Sequence, residues 1–92
     1  MDHGANLGTA VAEGTMVAAV AILKSRGVTL ARLDMTALVD ALRREAKVAL
    51  TNVLDDGKAL LDAGRSAWLS TLLATECTEA ARRALASLAV AS

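Results

Sequence analysis

Proline occurs nowhere in the 92 residues, so no position breaks a helix by lacking a backbone N–H. Ala and Leu, the strongest helix formers, supply 21 and 15 residues, whereas one Trp is the sole aromatic residue. This usage favours helix along the whole chain. We therefore expect an all-α protein and use the periodicity of apolar residues to locate the helix ends.

The chain has the size of one domain, which we assign to residues 1–92. Hydrophobic residues make up 54% and charged residues 22%, which excludes the disordered class. A domain this short buries only about 60–65% of its unfolded surface and benefits from a second subunit. We expect residues 1–6 and 91–92 to fray and residues 27–34 to form a linker.

The first predicted helix covers residues 7–25 and is unusually apolar. Its basic last turn is followed by Gly27, a typical helix-ending glycine. Asn6, Glu13 and Lys24 fall on one narrow polar edge, and the rest of the surface is apolar or small. A helix in an isolated three-helix bundle keeps a wider polar face. We therefore expect this helix to be covered on more than one side.

The second predicted helix covers residues 35–63, and Asp34 is placed to cap it. Its polar stripe has helical spacing throughout: Asp40, Arg44, Lys47, Thr51, Asp55, Lys58 and Asp62. Opposite it lie Leu38, Leu42, Ala46, Ala49, Val53, Gly57 and Leu60. Both stripes continue through Asp55-Asp56-Gly57, so we interpret this apparent turn signal as helix interior. A turn at this point stays an alternative.

The apolar phase reverses at Gly64, which predicts a short antiparallel turn. Ser66 is the expected cap of a third helix over residues 66–90, with Trp68 in its first turn. We expect the apolar face of that helix to be Leu69, Leu72, Leu73, Cys77, Ala80, Ala84 and Leu88. Glu79 and Arg83 are spaced for an ion pair on its solvent face. The chain is thus predicted to be a helical hairpin plus an apolar N-terminal helix, completed by dimerisation.

Small residues along the first helix would let a second backbone approach closely, most simply in a symmetric homodimer. The candidate interface residues are Ala10, Gly14, Val17, Ala18, Ala21, Gly57 and Trp68. Trp68 has two interpretations: a plug over Leu60, Leu61 and Leu72 at the end of the bundle, or a binding hot spot for a partner.

Residues for catalysis are few. His3 is the single histidine and lies beside the N-terminus, and Cys77 has apolar helical neighbours and no base within a turn. One Cys and one His fall short of a zinc ligand set. Asp55-Asp56-Gly57 lacks the remaining ligands of a calcium loop, and Gly57-Lys58 lacks the first glycine of a phosphate loop. We expect no enzyme activity, no metal and no cofactor.

Ten acidic and ten basic residues give zero net charge, which weakens attraction to nucleic acid or anionic membranes. Arg43, Arg44 and Lys47 form the densest basic cluster, but acids are interleaved with them. A single cysteine indicates a reducing compartment. The longest uncharged run has only ten residues and no basic leader precedes it, so we expect a cytoplasmic protein with no membrane segment. Ala- and Arg-rich usage suggests a bacterial or phage source.

These features predict a small non-catalytic interaction module, such as a regulatory adaptor, inhibitor or anti-activator, that binds a larger protein. Its origin in a phage or mobile element is compatible with its size. Two alternatives stay open: a structural subunit of a larger helical assembly and a small helical DNA-binding regulator.

Overall fold

The computed structural model describes residues 3–29 and 33–88, with side chains from Asn6 onward. Three α-helices follow one another: α1 (His3–Ser25), α2 (Met35–Asp62) and α3 (Leu69–Leu88), with a 3₁₀ turn (Ser66–Trp68) before α3. No strand occurs within these ranges. The all-α, three-helix prediction is therefore confirmed.

Helix α1 begins at His3, so part of the segment expected to fray is helical. It ends as predicted: Gly27 has a φ of 70°, a conformation that favours glycine. The N–H of Val28 bonds to the carbonyl of Leu23, and the N–H of Gly27 bonds to that of Lys24. These two bonds form a Schellman motif, which satisfies carbonyls that the helix end would leave unpaired.

Helix α2 begins where the sequence indicates, because the Asp34 carboxylate accepts a hydrogen bond of 3.1 Å from the N–H of Ala37. The helix continues without interruption through Asp55, Asp56 and Gly57. The helix-interior interpretation of this segment is therefore correct. Periodicity outweighed the local turn signal because the buried face of α2 passes through Gly57 itself.

The reversal between α2 and α3 centres on Gly64, which has a φ of 72°. The N–H of Arg65 bonds to the carbonyl of Leu60 at 2.7 Å, a second Schellman motif. The prediction was less accurate just beyond the turn. Residues 66–68 form a 3₁₀ turn, and α3 starts at Leu69. The expectation that Ser66 caps the third helix is wrong, because Ser66 is the first residue of the 3₁₀ turn itself. The predicted continuation of α3 to residue 90 lies partly outside the described residues.

Two polar bonds join α2 to α3 and define their antiparallel register. Arg83 Nε donates to Glu45 Oε1 at 2.7 Å, and Asn52 Nδ2 donates to Glu76 Oε1 at 2.9 Å. Each pair is centred on position 64 of the sequence, as expected for two antiparallel helices joined by a turn at Gly64. The expected ion pair between Glu79 and Arg83 is wrong, since Glu79 instead accepts from Arg82 at 3.2 Å. Along α3, the spacing allows Glu79 to pair with either Arg82 or Arg83. In the folded chain Glu79 pairs with Arg82, and Arg83 pairs with Glu45 of α2.

Helix α1 packs along the hairpin and contacts both of its helices. Near its C-terminal end one core cluster joins the three helices: Ala19, Leu23, Leu38, Ala41, Leu42, Ala81, Ala84 and Leu85. A second cluster forms further along: Val11, Ala46, Ala49, Val53, Cys77 and Ala80. Alanines supply half of these residues, so the helices approach closely and the core is thin.

Candidate interaction groove

A groove of about 560 Å³ runs along the outer side of the bundle between α1 and α3. Its lining on α1 is Ala10, Glu13, Gly14, Val17, Ala18 and Ala21; its lining on α3 is Ser70, Leu73, Ala74, Cys77 and Thr78. We call these residues the α1–α3 groove. Five of the seven predicted interface residues lie in it: Ala10, Gly14, Val17, Ala18 and Ala21. The structure therefore brings these five together on one surface.

The floor of the groove depends on Gly14. A Cβ placed on Gly14 would lie 2.8 Å from Cys77 Sγ, closer than side chains tolerate, and 3.4 Å from Cys77 Cβ. Gly14 thus serves the contact between α1 and α3 inside one chain. The sequence indicated a close backbone approach at this position, and the structure shows that α3 makes it.

Cys77 is buried beneath the groove. Its thiol lies 3.6 Å from the carbonyl oxygen of Val11, which also accepts a 2.7 Å bond from the buried Thr15 hydroxyl. Burial raises the pKa of the Cys77 thiol; a hydrogen bond with Thr15 lowers it, and the charge of Glu76 raises it further. A thiol with a raised pKa is a poor nucleophile, so the arrangement suits packing better than covalent chemistry.

In the groove and beside it, α1 exposes large apolar side chains. Val17 is 68% exposed and Met16 is 49% exposed. The segment Asn6–Ser25 is also long and apolar enough to cross a membrane, with a mean hydropathy of 1.5, and 22% of it is buried. Core helices of soluble proteins, which are mostly buried, and signal sequences near an N-terminus pass the same test, so this property is weak evidence for a membrane. No membrane segment was expected from the length of the longest uncharged run. Glu13 and Lys24 bound that run, although the whole segment is apolar on average.

The two remaining predicted interface residues lie elsewhere. Gly57 is buried between α2 and α3, and a Cβ there would lie 3.5 Å from Leu69 Cδ2. It therefore faces the chain's own α3 and does not belong to an outer interface. Trp68 lies in the 3₁₀ turn and is 57% exposed. Trp68 lies at the hairpin tip and outside the groove, and its exposure is higher than expected of a side chain that closes the end of the core. The hot-spot interpretation stays a prediction.

Sequence reasoning missed the α3 wall of the groove. Ser70, Ala74 and Thr78 recur every four residues, so they form a small-residue stripe on one face of α3. This spacing was available in the sequence. The Leu and Cys positions of α3 indicate its buried face, and the small-residue stripe lies beside that face.

Charged groups form few clusters. No group of three or more His, Cys, Asp or Glu side chains is suitably placed for a metal ion within the part of the chain that the structure describes. The side chain of His3 lies outside that part. Arg83 and Arg82 each bond to a carboxylate, which partly neutralises the basic residues of α3.

Comparison with known proteins identifies no relative: no family model, curated protein or solved structure matches the chain.

Proposed function

We propose that this chain is a non-catalytic protein-interaction module whose α1–α3 groove binds an apolar helix of a larger protein. The observation that carries the proposal is the groove itself, in which two helices present small side chains toward solvent. Helices commonly dock in such grooves through apolar positions at three- and four-residue spacing.

The chemistry of the groove supports a helical protein partner. Ala and Gly along α1 leave room for another backbone, and Val17 offers an exposed apolar contact. Polar groups lie among the lining, with Glu13 on α1 and Ser70 and Thr78 on α3. Interfaces usually combine apolar contact area with polar groups that can form hydrogen bonds.

The proposal is tested by affinity capture from the source organism with the full chain and two variants. Ala74→Glu places a charge in the groove, whereas Thr75→Glu places the same charge on the neighbouring exposed residue outside it. We expect a protein retained by the wild type and by Thr75→Glu to be lost from Ala74→Glu. Hydrogen exchange in the reconstituted complex should then slow in α1 and α3.

Three outcomes would contradict the proposal: equal capture by all three chains, binding to lipid vesicles that Ala74→Glu abolishes, or a DNA mobility shift with strong salt dependence. The second outcome would assign the α1–α3 groove to a membrane surface, and the third would favour a DNA-binding regulator.

A further inference from the structure

One face of α1 carries a heptad pattern that the three-helix bundle leaves uncovered. Ala10, Glu13, Val17, Val20 and Lys24 follow one another at spacings of three and four residues. Val20 is partly buried, and the other four are exposed. We call these five residues the outer stripe of α1. Its edge overlaps the α1–α3 groove at Ala10, Glu13 and Val17.

Charge is distributed along the outer stripe in a way that selects its occupant. Glu13 lies toward the N-terminal end and Lys24 toward the C-terminal end, with the two valines between them. Among the described residues neither charge forms an ion pair within the chain. A partner helix therefore needs a base opposite Glu13, an acid opposite Lys24 and apolar residues in between.

A second copy of α1, running antiparallel, meets these requirements. A heptad has two core positions, a and d. In an antiparallel coiled coil position a of one helix faces position d of the other, so the two helices can shift only in steps of seven residues. In one register Glu13 faces Lys24 of the second copy, and Val17 faces its Val20. Two-fold symmetry repeats both pairs. The result is an apolar centre with an ion pair at each end.

The competing arrangements are less favourable. A shift by one heptad places Glu13 opposite Val17, which desolvates the carboxylate without a partner. A parallel in-register pair places Glu13 against Glu13 and Lys24 against Lys24, so like charges repel at both ends. We infer that two copies of this chain associate through antiparallel α1 helices, with Glu13 paired to Lys24 of the other copy.

This inference shares one premise with the proposed function, namely that α1 is an interaction element. It adds that a second copy of the chain binds the outer stripe. One helix pair is a small interface, below about 1,200 Å². We therefore expect a dissociation constant of about 10–100 µM, in the range of weak interfaces. Because the stripe and the groove share Ala10, Glu13 and Val17, the dimer and a bound partner helix compete for these residues.

Charge reversal followed by sedimentation equilibrium tests the register. Glu13→Lys and Lys24→Glu should each weaken self-association about tenfold or more, because each converts two attractive pairs into two repulsive ones. An equimolar mixture of the two variants should associate at least as well as the wild type, since every facing pair is then opposite in charge. The double variant Glu13→Lys/Lys24→Glu should also recover the wild-type affinity.

Two controls carry the same changes in net charge at exposed positions of α2: Asp55→Lys matches Glu13→Lys, and Lys47→Glu matches Lys24→Glu. We expect both to dimerise like the wild type, and circular dichroism should show all variants to be folded.

A wild-type chain that stays monomeric at about 500 µM, well above the expected dissociation constant, overturns the inference. Single variants that associate normally contradict the antiparallel register, and so does a mixture that fails to associate. Species larger than a dimer indicate an open assembly instead. The two proposals can be tested separately, because Ala74→Glu lies outside the stripe. If Ala74→Glu loses the captured protein but still dimerises, the dimer inference stands. If the chain captures its partner through the groove but does not dimerise, the proposed function stands and the dimer inference fails.

Discussion

Gly57 and Gly14 are both interior residues of helices, yet alanine should have opposite effects at the two positions. In a helix interior Ala is favoured over Gly by about 1 kcal/mol. At Gly57 the new Cβ would lie 3.5 Å from Leu69 Cδ2 and 3.9 Å from Leu72 Cδ2, both ordinary contacts. Gly57→Ala should therefore stabilise the fold by about 0.5–1 kcal/mol.

At Gly14 the same gain is opposed by a collision. The Cβ would lie 2.8 Å from Cys77 Sγ, and overpacking of a close contact costs about 1–3 kcal/mol. Helix propensity offsets part of this cost. We expect Gly14→Ala to lower the free energy of unfolding by about 1 kcal/mol.

The collision is isolated by a double-mutant cycle with Cys77→Ala. Removing the sulfur eliminates the 2.8 Å contact and leaves a Cβ contact of 3.4 Å, which a small shift relieves. In the Cys77→Ala background, Gly14→Ala should therefore become neutral or stabilising. The coupling between the two substitutions should be about 1–2 kcal/mol.

Urea denaturation followed by far-ultraviolet circular dichroism measures these differences, and thermal melts should shift by about 4–8 °C per kcal/mol. All samples are compared at the same low concentration, so that association does not contribute. If Gly14→Ala stabilised the protein as much as Gly57→Ala, or if the cycle showed no coupling, the close contact between α1 and α3 would be refuted.

Three further predictions concern the helix ends and the thiol. Asp34→Ala should lower the free energy of unfolding, measured by urea denaturation, by about 1 kcal/mol because it removes the hydrogen bond from the N–H of Ala37. Asp34→Asn should retain most of this stability, and equal losses in the two variants would contradict the capping role. Gly64→Ala should lower stability by about 1 kcal/mol, opposite to Gly57→Ala, because its φ of 72° disfavours a Cβ, and a higher melting temperature would argue against that conformation. Burial raises the pKa of Cys77 above its ordinary value of 9.0, so the folded chain binds this proton more tightly than the unfolded chain. Stability should therefore fall as the pH rises above about 9, and Cys77→Ala should remove that part of the pH dependence.

Local signals in the sequence predicted most of the secondary structure. Asp34, Gly27 and Gly64 act within one turn of a helix end, through bonds to nearby backbone groups. Their effect needs no distant residue, so these boundaries were predictable. Periodicity likewise identified the buried face of α2. The apolar face of a helix follows from its own sequence and does not depend on which element packs against it.

Pairing across helices was not predictable in the same way. The spacing of Glu79 and Arg83 suits an ion pair, but in the folded chain Arg83 bonds to Glu45 on α2. The small residues around Gly14 were expected to admit the backbone of a second copy, whereas within the chain the structure places Cys77 of α3 against Gly14. Gly57, assigned to an interface by the same reasoning, packs against its own hairpin.

The sequence by itself determined three helices, the Asp34 cap, the glycine-ended termini at Gly27 and Gly64, and the apolar character of α1, since these depend on backbone conformation and on periodicity within one segment. The tertiary structure decided which helix covers which face, and so produced the α1–α3 groove from two short segments, residues 10–21 and 70–78, that are far apart along the chain. The physical reason is that the phase of a helix gives the direction of its apolar face, whereas the neighbour that covers this face is selected by the packing of the whole chain.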